Sequence, residues 1–521
     1  MSQPPSAPAA RFAVHPFRRR ARRAAAGWLA AALLAAPAGA QEQPPGLSLG
    51  DVLRTTLASN ADIQAAAWEV QRQAAGVQVA HGAFDPALAA TLSSLDERNP
   101  ALNAQNVAGI SQSRTLTYSL GVEQPFRSGV VVTPALSFSR LDAAGQVSGA
   151  RNQAAATLGI SVPLLRGRGG GLAVAGERSA AMLLSASQST LEHRRATALL
   201  DAVQAYWDYV AAHARLEVLR STEARTERLL EQTRTLVQAD QRPRVDLLPL
   251  EANLASRRAS RISGERAVIT ARQQLGRAMG IAPEAVRTLP PPATEFPAGP
   301  GAEGTPDFQA LVDAALRARP DLEASRRQRE AARDLLAGYR REARPRLDLN
   351  LTLGYQGLES GDELGRLVSP FYSELGGMHT RLEVEYGFPV RNRLAGGLAM
   401  QSAVQEQQAA LAYAELRRQV SLDAAAALET LQRSAEELAQ FGAAARLHAT
   451  SVESEQLKYQ LGTSTIFDII AAEDGLTSAT LAEIDARSRY AAALARLRYE
   501  TGTLGSAEGI DPAALTAWEN P

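Results

Sequence analysis

Moving this sequence along itself by 222 positions lays Asp246 on Asp468, Glu251 on Glu473, Leu254 on Leu476 and Gly280 on Gly502 without a gap. An internal repeat is a severe constraint, because both copies must bury equivalent faces. The copies share heptad columns as well. Leu247, Leu254, Val268 and Leu275 are spaced by sevens with Arg261 interrupting; Ile469, Leu476, Tyr490 and Leu497 follow with Glu483 interrupting. Sevenfold spacing implies a left-handed coiled coil. Arg261 and Glu483 either pair across neighbouring helices or stand as two solvated charges.

Other segments repeat at a shift of 259. "LASNADIQAA" (57–66) matches "LRARPDLEAS" (316–325), and Pro86 falls on Pro345. "ISVPLLRGR" (160–168) is similar to "YGFPVRNR" (386–393), with Pro163 on Pro389. Each half therefore reads as helix, Pro, strands, Pro, long helix, break, return helix. The first repeat is placed at 41–288, with a helix over 47–84, strands 87–163, a long helix 172–240 and a return helix 245–280. The second is placed at 307–505, with strands 345–389, a long helix 398–461 and a return helix 465–502. The Pro/Gly-rich stretch 289–306 is the linker and 506–521 a tail. Each long helix would extend about 100 Å at 1.5 Å per residue.

The strands alternate with period two. Leu347, Leu349, Leu351, Leu353 and Tyr355 face one way, and Asp348, Asn350, Thr352 and Gln356 the other. Leu382, Val384, Tyr386 and Phe388 form another apolar row; Leu116, Tyr118, Leu120 and Val122, then Val130, Val132, Leu136 and Phe138, do the same earlier. Strands of about 10 residues can cross a bilayer at a tilt. A soluble sandwich alternates in the same way, but an export signal and very long helices favour a barrel. Two to six strands cannot close in lipid, so such a barrel needs several copies of the chain. Pro86–Pro163 is 33 residues longer than Pro345–Pro389. That is room for an additional hairpin turning at "QPFRSG", hence six strands, either within the wall or projecting from it.

Composition narrows the classes. Aromatics are 5% of the 521 residues, which points to helices packed through small side chains. A basic run, a short apolar run and Ala38-x-Ala40 form an export-signal pattern over 1–40, with cleavage expected after Ala40. Removing the six Arg of that segment turns a neutral chain into one of net charge −6, without the basic excess that nucleic-acid binding needs. There is no Cys, which excludes disulfides, thiolate sites and a lipid on Cys. The six His show no ligand spacing, no Ser/His/Asp constellation stands out, and no phosphate loop is present, so neither metal, cofactor nor enzyme chemistry is expected.

The motif "YQLGTSTIFDII…AE…L…A…Y…A…L…TG", together with the twofold repeat and the Pro-strand-Pro insertions, resembles the TolC-type outer membrane efflux protein family over nearly all of 47–505. The resemblance implies an α+β fold: a homotrimeric β-barrel in outer membrane lipid, continued by a long periplasmic α-helical coiled-coil tunnel. It implies a passive duct that works with a periplasmic adaptor and an inner-membrane transporter. Type I protein secretion uses the same fold and stays open as an alternative; a periplasmic coiled-coil adaptor is a more distant one.

By the same resemblance, the two breaks between helices are turns at a periplasmic entrance. Asp468 matches an inward carboxylate, three copies of which would form a ring attracting cations. Thr465-x-x-Asp468 is also a capping box, compatible with that ring. Tyr459 matches a Tyr that hydrogen-bonds to the first-repeat Asp, here Asp246, to hold the entrance shut; packing for Tyr459 and an N-cap for Asp246 are the alternatives. Gly462, Thr463, Ser464 and Thr465, with Asp240, Arg242 and Pro243, would form the tip turns where the adaptor docks. A second carboxylate of the family is replaced here by Ala471, and an Arg latch by Ser464.

Overall fold

A computed structural model describes residues 46–102, 108–143, 150–299, 308–363 and 368–504. The expected leader over 1–40, the end of the linker (300–306) and the tail lie outside them. The described residues all fall within one unit, Pro45–Pro521.

The order of elements follows the repeat. The first half holds α1 (Leu49–Ser59), α2 (Ala61–His81), β1 (Ala87–Leu102), β2 (Ala108–Pro125), β3 (Val131–Ala143), β4 (Arg151–Pro163), α3 (Gly171–Gln238) and α4 (Leu247–Met279). After the short α5 (Pro283–Arg287) come α6 (Phe308–Ala318), α7 (Pro320–Glu342), β5 (Arg346–Ser360), β6 (Gly376–Gly387), α8 (Arg393–Gln460) and α9 (Ile466–Glu500). The two long helices, α3 and α8, each have 68 residues, about 100 Å at the helical rise.

One expectation needs correcting: 47–84 is not a single helix. It breaks at Asn60, whose side-chain oxygen accepts from the amides of Asp62 (2.9 Å) and Ile63 (3.3 Å) and so starts α2 afresh. The Asn60 amide also donates to the Ala278 carbonyl near the end of α4, at 3.1 Å. The second copy breaks at the equivalent Arg319, followed by Pro320 at the first helical position. Arg319 is buried and pairs with Asp321 at 2.7 Å and with Glu500 of α9. The end of the return helix abuts each break. At Gly280 (φ 72°) a Cβ would lie 2.8 Å from the Ser59 carbonyl oxygen, so only glycine fits.

Helices run side by side, four at each level. Towards the sheet the neighbours are α2, α3, α7 and α8; towards the turns they are α4, α3, α9 and α8. Small residues permit the close approach: a Cβ on Gly338 of α7 would meet the Ala175 Cβ of α3 at 2.7 Å. Three of the few aromatics, Tyr206, Trp207 and Tyr209, are concentrated in one buried cluster with Leu49, Leu53, Leu199 and Leu275. There the Tyr206 hydroxyl donates to the Leu47 carbonyl at 2.9 Å and accepts from the Thr294 amide at 3.1 Å, tying the entering chain to α3.

All six strands form one antiparallel sheet in sequence order, β1 to β6. Its register puts the apolar rows on one face. Leu92 lies opposite Tyr118, Tyr118 opposite Phe138 and Phe138 opposite Ala154. Leu158 then lies opposite Leu353, and Leu351 opposite Leu382. The other face carries Ser93, Thr117, Ser139 and Gln153, and beyond them Asn350 and Glu383. The apolar row is exposed in the single chain, and a slip of one residue in any strand would break its sorting from the polar row. The β2–β3 ladder skips at Pro134, which has no N–H to give.

Candidate functional site

The helix pairs α3–α4 and α8–α9 each end in a tight turn, and the two turns are built alike. After α3, the Asp240 amide donates to the Val237 carbonyl (3.1 Å) and the Gln241 amide to that of Leu236 (2.9 Å). After α8, Gly462 donates to Tyr459 (3.1 Å) and Thr463 to Lys458 (3.0 Å). These are paired Schellman endings, which need a left-handed residue after the cap. Asp240 has φ 57° and Gly462 φ 78°.

Beyond the turns the tips differ. At the second, Thr465 caps α9. Its backbone amide and hydroxyl donate to Asp468 Oδ2 at 2.9 and 2.6 Å, while its oxygen accepts from the Asp468 amide at 3.3 Å. Ser464 adds a contact to Asp468 Oδ2 at 3.3 Å and donates to Glu455 at 2.8 Å. The Asp468 carboxyl is exposed yet held below the usual carboxylate range, chiefly by the Thr465 hydroxyl and then the Thr465 amide. Glu455 is likewise held low, by Lys458 first and Ser464 second.

At the first tip the residue equivalent to Thr465 is Pro243, with neither hydroxyl nor N–H. Asp246 stands at the N-cap of α4 and makes no side-chain cap. Arg242 crosses instead to the other tip: its guanidinium lies 4.4 Å from the centre of the Tyr459 ring and donates to the Tyr459 carbonyl at 3.2 Å. Arg242 is the repeat equivalent of Ser464, so an Arg absent from one tip is present on the other. The repeat shift was the signal that could have revealed this. Tyr459 is 7% exposed, and its hydroxyl has no hydrogen-bond partner. The link between tips within this chain is therefore Arg242 to Tyr459, and the expected Tyr459–Asp246 hydrogen bond is not formed there. Gly462, Thr463, Thr465, Asp240 and Pro243 are all exposed on the turns; Ser464 is buried.

Behind the turns Tyr459, Leu230, Leu250, Leu254, Ile466 and Ile469 form a small core joining all four helices. Beside it opens a groove of about 1030 Å³ between the two helix pairs, lined by Arg225, Arg228, Arg242, Gln232 and Asn253 among others. A polar layer bounds it. Arg225 of α3 donates to Glu473 of α9 at 2.9 Å, Gln456 of α8 reaches Glu473 at 3.3 Å, and Arg257 of α4 pairs with Asp474. Arg261 and Glu483 do not meet: Arg261 binds Glu223 at 2.7 Å, and Glu483 binds Arg487 at 2.6 Å. No group of His, Asp and Glu suited to a metal occurs among the described residues. The tips present charge, backbone and apolar surface, which suits a gate or a docking face.

Residues 52–281 match the model of a family described as outer membrane efflux protein. No curated protein sequence matches the chain. Solved structures with the same fold include the outer-membrane channel OprN, at 16% identity and TM-score 0.66, covering 87% of this chain and 90% of that one. The Campylobacter jejuni CmeC outer membrane channel matches at 15% identity and TM-score 0.63, covering 87% and 85%. The outer membrane protein VceC from Vibrio cholerae matches at 16% identity and TM-score 0.61, covering 87% and 96%.

Proposed function

We propose that this chain, whose residues 52–281 match the outer membrane efflux protein family, is the exit duct of a tripartite efflux pump. Three copies pool their sheets into a barrel in the outer membrane, and their helices continue it as a periplasmic tunnel. A periplasmic adaptor docks at the tips, and an inner-membrane transporter supplies cargo and energy. The chain itself passes small molecules and catalyses nothing.

The observation that carries this reading is the two-faced sheet. Six strands of 12 to 18 residues put one continuous apolar face against one polar face. Lipid outside and water inside call for that arrangement. Both edge strands are free, which lipid forbids unless another copy covers them. At the far end, three Asp468 carboxylates brought together would attract cations and repel anions.

The test is conductance in planar bilayers. Wild-type protein is expected to give small, cation-preferring currents, and Asp468→Asn a weaker preference. An unchanged reversal potential removes Asp468 from the conduction path. A polypeptide that stays monomeric and soluble without detergent overturns the barrel.

A further inference from the structure

The hairpin β1–β2 extends the sheet, and its placement fixes the width of the pore. The β1–β2 ladder is paired from Ala87↔Glu123 to Leu102↔Ala108, and β2 joins β3 from Ser113↔Ala143 to Pro125↔Val131. The hairpin's Leu88, Leu92, Leu116 and Leu120 lie on the same face as Leu136, Leu158 and Leu353. Swung out of the wall, the hairpin would expose this apolar row and uncover the edge of β3.

The turn below β2 and β3 is also fastened down. Arg127 binds Glu177 of α3 at 2.9 Å, touches His81 of α2 at 3.1 Å and lies 4.8 Å from the Phe84 ring centre. Gln124 donates to the Phe84 carbonyl at 2.9 Å, and Gly169 donates to that of Ser128 at 2.9 Å. The turn thus sits on the ends of the helices that lead into and out of the sheet.

Circumference supplies an independent argument. Four helices side by side, roughly 9.5 Å apart, span about 38 Å. Six strands about 4.8 Å apart and tilted by about 40° also span about 38 Å, whereas four strands would span only about 25 Å. With six strands the wall passes from helix to strand without a step. On the inner face the hairpin and its neighbours carry short side chains such as Thr115, Thr117, Ser119, Ser137 and Thr157, which leave the bore open.

We propose that β1–β2 belongs to the wall, so that β6 of each copy pairs with β1 of the next and three copies close an eighteen-strand barrel as wide as the helical tunnel. The membrane section then never limits cargo size, and the limit falls at the tips. This rests on the duct reading above. The experiment uses the absence of native cysteine. Thr91 or Ser93 of β1 is changed to Cys together with Arg381 or Glu383 of β6, all on the inner face. Protein extracted from outer membranes is oxidised and run without reducing agent. Covalent trimers are expected. A parallel set joins Ser137→Cys or Ser139→Cys of β3 to the same β6 positions and is expected to stay uncrosslinked. Trimers from the β3 set alone place the hairpin outside the wall and overturn the proposal, while the duct reading stands. No crosslink in either set, from protein that still shifts in migration on heating, overturns the closure of β6 on β1, while the duct reading stands.

Discussion

Asp240 and Gly462 hold the same left-handed turn in two copies of one hairpin, yet three residues later the copies part. The second tip closes on itself, with Thr465 and Asp468 satisfying each other's donors and acceptors. The first has Pro243 in place of the threonine, leaves α4 without a side-chain cap and sends Arg242 across to Tyr459. A backbone ending was therefore kept while its side chains took different tasks: one tip is internally rigid, and the other is steadied by its neighbour. In the duct proposed above, the Arg242–Tyr459 contact is the one such a gate would have to release.

The largest effect should come from Arg242→Ala, which removes a cation–π contact and a donor to a backbone carbonyl. Together these are worth about 1.4 kcal/mol, or roughly tenfold in the closed-to-open ratio. Bilayer recordings should show open time rising by that factor. An unchanged record would mean that the two tips are not coupled through Arg242.

Next comes Thr465→Ala, which deletes the cap at a cost of about 1 kcal/mol. Hydrogen exchange at the start of α9 should accelerate roughly fivefold, with the start of α4 unaffected. Equal acceleration at both tips would contradict the division described above.

Acid should act on the second tip. The folded Asp468 carboxyl titrates below its ordinary value. Its capping contribution is therefore complete above the unfolded value of about 3.9 and is lost as pH falls through the lower folded value. Stability of wild type relative to Asp468→Asn, followed by circular dichroism, should narrow over that acid range and stay constant above it.

The smallest effect is expected from Tyr459→Phe. The hydroxyl has no partner, and the ring that meets Arg242 remains, so conductance should change by less than twofold. A larger rise would show that the hydroxyl finds Asp246 in the assembled trimer.

Much of this was legible in the residues. The 222-position shift identified both turns, and Gly462 announced its positive φ openly; Asp240 did so only as its partner. Period-two alternation marked four of the six strands cleanly and the segments near 87–96 and 154–163 more weakly, and Thr465-x-x-Asp468 was visible as a cap. The break at Asn60 was missed because Ala-rich residues continue on both sides and only one polar cap interrupts them, whereas Pro320 marks the second break plainly. The reach of Arg242 to Tyr459 was not legible, because no local pattern says which long side chain will cross to another helix pair.

Spacing by seven, alternation by two and the written-out repeat are properties of neighbours along the chain, so the sequence alone determined the helices, the strands and their doubling. Which tip donates the arginine and how six strands line up in one sheet depend on contacts between residues up to 217 positions apart. Those contacts exist only once the four helices have packed, and only the tertiary structure decided them.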